Sequence, residues 1–318
     1  MLQHYWRITW RILTRNKIYT FINILGLALG ICGCLVLFLI TRYEFSFDRD
    51  HPDQGLIYRV VGEKQSPEET EFLNSPYDDL AAFETQIPGF SATAGVHGCR
   101  GRISVPQTGR PPKSFDNSIP GSYMPTAMFT TPGYFDILRY VWLAGSAGSL
   151  SRPNNVVLTK SRARLYFGDL PAEEMLGKLI IYDDSLFVHV SGIVKDWEGN
   201  TDLGYTDILS VTTATTSFLK KDIPTADWSS LQPHRSMAFV KLSPGVRPEQ
   251  VNARFAEYIR RHIQLRQAGT SLRMYLQSLK DMHFTHEFHR GDDGDGWRKP
   301  YLPTLYVMMG VAVFILLI

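Results

Sequence analysis

Cysteine is scarce in this chain, with three residues in 318. Cys32 and Cys34 sit inside one apolar run, and Cys99 stands alone in the middle region. That excludes a disulfide-stapled scaffold, so the middle region must be held by a hydrophobic core, which its length permits. A Cys-x-Cys metal or redox motif is outweighed by the apolar setting, where small polarizable residues are ordinary helix filling. Charge of one sign is also lacking. Lys and Arg number 33 against 31 Asp and Glu, a net +2, and no basic stripe crosses the middle, so nucleic acid is not a partner. The phosphate-cradling Gly-x-x-x-x-Gly-Lys-Ser/Thr is absent, because Gly177-Lys178 runs into Leu179 and lacks the earlier glycine. Neither Gly-x-Ser-x-Gly nor His-Glu-x-x-His occurs, and no catalytic set, cofactor site or metal site emerges.

What the chain does have is grease at its two ends. From Ile18 to Thr41 there is no charged side chain. About 20 such residues at 1.5 Å rise span a hydrocarbon core of roughly 30 Å, so 18–41 is expected to be a transmembrane helix. A signal peptide would be shorter and end at small residues, whereas Phe38-Leu39-Ile40-Thr41-Arg42-Tyr43 offers no cleavage site. Arg7, Arg11, Arg15 and Lys17 precede the helix with no acid, and Glu44, Asp48, Asp50 and Asp53 follow it. The positive-inside rule then places the N-terminus in the cytoplasm and the middle outside. Residues 1–17 read as an amphipathic helix lying in the membrane interface, with Trp6 and Trp10 at headgroup level and Arg7, Arg11, Arg15 and Lys17 toward anionic lipid.

At the other end Tyr301 to Ile318 is also uncharged and follows Arg298, Lys299 and Pro300. It is expected to begin a second membrane helix, covering roughly 27 Å. The stop on Phe-Ile-Leu-Leu-Ile, without a basic flank, suggests a truncated product or partial sequence.

Between the ends, 42–300 alternates short strand and helix patterns. Strands are expected at Leu56–Val61, Val156–Leu158, Leu179–Tyr182, Leu186–Val194 and Met237–Leu242, with Asp183-Asp184-Ser185 as a turn. Ser75, Pro76, Asp78 and Asp79 suit a helix start, and Pro88-Gly89 its end. Thr159 and Gly168 bracket another helix. A third, from Pro248, carries Val251, Phe255, Tyr258, Ile259 and Ile263 on one face, with Arg254, Glu257, Arg260 and Arg261 opposite. The expectation is an α+β extracytoplasmic domain of two lobes between two transmembrane helices, the second truncated. The Pro/Gly-rich stretch Gln107–Pro125 is expected to connect the lobes.

Two constellations have competing readings. Gly26, Gly30 and Cys34 recur every four residues, a small-xxx-small stripe for close helix packing, for instance against a partner permease helix, or plain glycine enrichment. His283, His286, His289, Glu287, Asp292, Asp293 and Asp295 look like metal ligands, but the histidines do not share a helical face and the aspartates do not fit a calcium loop. A solvated acidic loop, with Gly291, Gly294 and Gly296 permitting a hinge, is the better reading.

Taken in order, Tyr5-Trp6-Arg7-Ile8 through Leu13-Thr14-Arg15-Asn16-Lys17, Phe21-Ile22-Asn23-Ile24-Leu25-Gly26, Glu44-Phe45-Ser46-Phe47-Asp48-Arg49, Thr131-Pro132-Gly133-Tyr134-Phe135-Asp136, Val190-Ser191-Gly192-Ile193-Val194-Lys195-Asp196 and Leu276-Gln277-Ser278-Leu279 resemble the MacB/FtsX-like ABC transporter permeases of the Bacteroidetes type. The resemblance implies a permease subunit without its own ATPase, working with a cytoplasmic ABC ATPase subunit and a second permease copy. It also implies a porter-like lobe with an inserted lobe near 126–215, possible periplasmic or outer-membrane partners, and location in the bacterial inner membrane. A transmembrane sensor or a membrane-anchored enzyme would share the helix–domain–helix layout. The family continues into further membrane helices beyond the end of this sequence.

Overall fold

The computed structural model describes residues 6, 10–11, 14–74, 79–117, 125–217, 219, 236–263, 269–285 and 300–317. It divides into two units, 1–46 with 300–318, and 47–299.

The first unit is built on α1 (Lys17–Glu44) and α6 (Leu302–Leu317). The apolar side chains of α1 stand exposed, Leu27, Leu29 and Phe38 among them, an arrangement that water penalises and lipid does not. It is the one described helix both long and apolar enough to cross a membrane. α6 is also apolar but shorter.

The second unit is built on a mixed sheet. Its first lobe comprises β1 (Ile57–Gln65), β2 (Thr70–Asn74), α2 (Asp79–Gln86), β3 (Phe90–Cys99), β12 (Ser236–Leu242), α5 (Pro248–His262) and β13 (Ser271–Ser278). The strand order β13-β1-β12-β3, with one helix between β1 and β3 and another between β12 and β13, is a split βαβ pair. α5 starts at Pro248, whose missing N–H costs nothing there, while the Gln250 side chain accepts the Arg247 amide at 3.0 Å. Val251, Phe255 and Tyr258 are buried as the spacing predicts, and Phe83 of α2 meets both rings edge-on at 5.5 and 5.2 Å.

The second lobe lies between β3 and β12 in sequence. It contains β4 (Arg102–Gln107), β5 (Arg110–Asp116), β6 (Ala127–Thr130), α3 (Gly133–Ile137), β7 (Trp142–Gly145), β8 (Asn155–Thr159), α4 (Lys160–Phe167), β9 (Leu179–Tyr182), β10 (Leu186–Val194) and β11 (Asp207–Ser210). The sheet continues from β3 as β6-β11-β8-β10-β9-β4-β5. Only Arg100 and Gly101 join β3 to β4, yet five strands separate them in the sheet, so the sheet curls back on itself. Ile103, Phe129, Val156, Leu158, Ile180, Val188 and Val190 fill the inside of that curl. Gly168 has φ +84° and closes α4, a conformation that favours glycine.

The expected strands at 156–158, 179–182, 186–194 and 237–242 form within a residue or two. The helix-start signals Ser75, Pro76 and Asp78 lie outside the described residues. Gln107–Pro125 is corrected: β5 occupies part of it and pairs with β4, despite Pro111 and Pro112. β5 is the last strand in the order, where a missing N–H goes unnoticed. β4 and β5 (102–116) thus extend the same sheet that holds β6 to β11.

Candidate functional site

The residues directly after α1 do not behave as a solvated flank. Phe45 and Ser46 turn back on α1, their amides bonding the Thr41 and Tyr43 carbonyls at 3.0 Å. Asp48 then adopts φ +54°, a conformation Asp tolerates better than most residues, and is 0 % exposed. Its amide donates to the Asn200 carbonyl at 2.8 Å. Its carboxylate accepts from His51 Nε2 at 3.2 Å, from the Thr201 hydroxyl, and from the Asp202 amide at 3.3 Å. Asp53, farther on, pairs with Lys241 at 2.8 Å and Arg139 at 3.0 Å. The hydrogen bond and charge of Lys241 lower its pKa.

The chain on its way out of the domain meets the same segment. His283 Nδ1 lies 3.0 Å from Asp202 Oδ1, the two side chains 6 % and 5 % exposed. The His283 ring stacks on Phe47 at 3.8 Å and 10°. Behind them Arg59 of β1, fully buried, donates through Nε to Gln277 Oε1 at 3.0 Å, and Gln277 Nε2 reaches the Thr285 hydroxyl at 2.7 Å. Burial pushes the Arg59 pKa down to about 10, against the pull of the Asp202 carboxylate. Three stretches distant in sequence (47–53, 197–203 and 277–285) thus meet in one buried polar junction.

One edge of the junction is less fully bonded. His51, 4 % exposed, stacks on Trp197 at 4.0 Å. His51 Nδ1 and Trp197 Nε1 are both buried with no hydrogen-bond partner among the described residues. A cavity of about 310 Å³ lies alongside, lined by Asp50, Arg139, Tyr140 and Trp197 among others. A Cβ on Gly199 would meet the end of the exposed Asp50 side chain, which would have to swing aside.

A second buried carboxylate sits within the curled lobe. Asp207, 0 % exposed, accepts from Arg162 Nε at 2.8 Å, the Tyr166 and Tyr182 hydroxyls at 2.6 Å, and the Thr206 hydroxyl at 2.8 Å. Burial first, then the adjacent Asp207 charge, raises both tyrosine pKa values far above the usual range, so both remain donors. Burial opposes the charge of Arg162, but Asp207 outweighs it and the pKa is raised.

The residues singled out from sequence fall elsewhere. Trp6 and Trp10 are helical, exposed and stacked at 6.3 Å. Arg11, Arg15 and Lys17 are helical and exposed, while Arg7 lies outside the described residues. Cys34 Sγ approaches the Ala312 carbonyl at 3.2 Å, and a Cβ on Gly30 would meet Ile315 at 3.4 Å, so both face α6 of the same chain. Gly26 faces open space.

His283 is corrected: it is not part of a solvated loop but is buried and bonded. His286, Glu287, His289, Asp292, Asp293 and Asp295, and the glycines beside them, lie outside the described residues. No metal-ligand cluster occurs among the described residues. Asp48, His51, Arg59, Asp202 and Asp207 carry no signal in single-sequence spacing, because each meets partners far away in the chain.

A split βαβ lobe carrying a curled insertion follows a helix long and apolar enough to cross a membrane. The model of the MacB-like periplasmic core domain matches residues 20–258. The chain belongs to that family, whose members are periplasmic parts of ABC transporter permeases. A crystallised permease-protein domain from Porphyromonas gingivalis is similar in fold, with TM-score 0.56 and 20% identity over 73% of this chain and 92% of that one. The periplasmic region of MacB from Actinobacillus actinomycetemcomitans gives TM-score 0.44 and 13% identity over 68% and 87%. No curated protein sequence matches.

Proposed function

We propose that the chain is the permease subunit of an ABC transporter with no catalytic role of its own. A separate cytoplasmic ATPase hydrolyses ATP, the membrane helices shift, and the periplasmic domain moves, for export or for mechanical signalling. The observation that supports this best is the meeting of the domain's incoming and outgoing segments, with Phe47 stacked on His283. A body held at both ends in one place follows those ends when they move. In this reading the N-terminus is cytoplasmic, Trp6, Arg7, Trp10, Arg11, Arg15 and Lys17 lie at the lipid interface, and the Gly26, Gly30, Cys34 stripe packs helices. A second permease copy and a periplasmic or outer-membrane partner complete the assembly.

The test is reconstitution of the full permease with candidate ABC ATPases in lipid nanodiscs. Stable association and permease-dependent ATP hydrolysis are expected. A permease that binds no ATPase, with a periplasmic domain that binds a small ligand, would favour the sensor reading instead. Replacing Arg7, Arg11 and Arg15 by Glu should weaken or invert insertion in a topology reporter, and an unchanged signal would discard the interfacial role.

A further inference from the structure

We infer that the cavity beside Trp197 is a binding site for a small organic ammonium ion. Three loops build it: the segment carrying Asp50, the turn from α3 into β7 with Arg139, Tyr140 and Val141, and the segment after β10 with Trp197. Backbone bonds brace these loops. The Lys195 amide donates to the Val141 carbonyl and the Asp48 amide to the Asn200 carbonyl, both at 2.8 Å. At about 310 Å³ the cavity lies at the small end of the range for ligand sites.

Its charges set the class of ligand. Both cations in the lining are already matched, Arg139 by Asp53 at 3.0 Å and Lys195 by Glu198. The acids are not. Asp196 accepts from the Ser161 amide at 3.0 Å and from its hydroxyl, and no cation pairs with it among the described residues. Asp50 has no hydrogen bond or ion pair among the described residues, and its carboxylate rests against Gly199. An anion would have to break existing pairs and face the carboxylates of Asp50, Asp196 and Glu198, whereas a cation finds charge left unmatched. No group that could hold a metal ion occurs among the described residues, so the cation is an organic one.

The wall fits that choice. His51 covers one face of the Trp197 indole at 4.0 Å, and Tyr140 meets the indole at 5.8 Å and 70°. Val141, 60 % exposed, adds apolar surface beside them. Two aromatic rings set at a steep angle next to a free carboxylate attract an alkylammonium through its charge and shelter its carbon atoms.

The test is calorimetric titration of the chain in non-ionic detergent with choline and with dimethylbutanol, the neutral isostere in which carbon replaces nitrogen. Choline should bind saturably, and dimethylbutanol about tenfold or more weakly. Asp50→Asn, at an exposed position, should weaken choline about tenfold. Gly199→Ala should weaken it severalfold, because the added Cβ pushes the Asp50 carboxylate aside. Asp184→Asn makes the same charge change on an exposed turn elsewhere and should leave the affinity within about twofold. Nanodiscs tell a free ion from a lipid headgroup. Exchanging phosphatidylglycerol for phosphatidylethanolamine should lower choline affinity only if the headgroup fills the site, and either result supports an ammonium site.

No saturable choline binding in detergent, equal affinity for dimethylbutanol, or equal loss from Asp50→Asn and Asp184→Asn overturns the inference. None of these outcomes bears on association with an ATPase, by which the permease reading is judged.

Discussion

Asp48 and Asp207 are both fully buried carboxylates, yet they are held in opposite ways. Asp207 has a guanidinium in contact and two tyrosine hydroxyls, all from its own lobe. Asp48 has a histidine, a hydroxyl and an amide, and its neighbourhood gathers three stretches distant in sequence and leaves two buried ring nitrogens without a hydrogen-bond partner among the described residues. A saturated charge pair fixes a core. A carboxylate held by a histidine, a hydroxyl and an amide joins segments with no guanidinium or ammonium in contact among the described residues.

Alkali attacks both places and should have the largest effect. Burial raises the pKa of Tyr134, Tyr140 and Tyr205 near the first site and of Tyr166 and Tyr182 at the second, with Tyr140 reaching about 12. A raised folded pKa gives stability that is complete below the unfolded value near 10 and is lost as pH climbs through the folded one. Arg59, lowered to about 10, works the other way over the same interval, but one group against several does not reverse the trend. Circular dichroism and tyrosinate absorbance should show these rings ionising only as the domain unfolds. Ionisation ahead of unfolding would break the assignment.

Asp207→Ala comes next. It takes the carboxylate from Arg162 and three hydroxyls, and should cost about 3–5 kcal/mol in denaturant unfolding of the detergent-solubilised chain. Asp48→Ala leaves the Thr201, His51 and Asp202 donors unpaired and should cost about 1–3 kcal/mol. If Asp48→Ala costs as much as Asp207→Ala, the contrast between the two sites disappears. Arg102→Ala breaks an exposed ion pair with Asp184 and should lie within about 1 kcal/mol of the parent. A larger loss would mean that the β9–β10 turn contributes more than its exposure indicates.

Much of the domain was legible because its signals are local. α5 shows its buried face through spacing alone, and the β9–β10 hairpin shows its turn through Asp183 and Asp184, both at positive φ. β5 was hidden because its prolines argue against a strand and its partner is supplied by the curl of the sheet. In the sequence Asp48 is one more acid after an apolar helix and His283 one more polar residue before an acidic loop, and nothing near either hints at burial.

The sequence alone determined that apolar segments bracket an α+β domain, since hydrophobic length and period-two or period-3.6 patterning are properties of neighbours in the chain. Tertiary structure alone decided which acids are buried, that Gly30 and Cys34 face α6, and that the domain's incoming and outgoing segments share Asp202. Those facts depend on which distant residues fill one another's hydrogen bonds once water is excluded, and no local pattern encodes that.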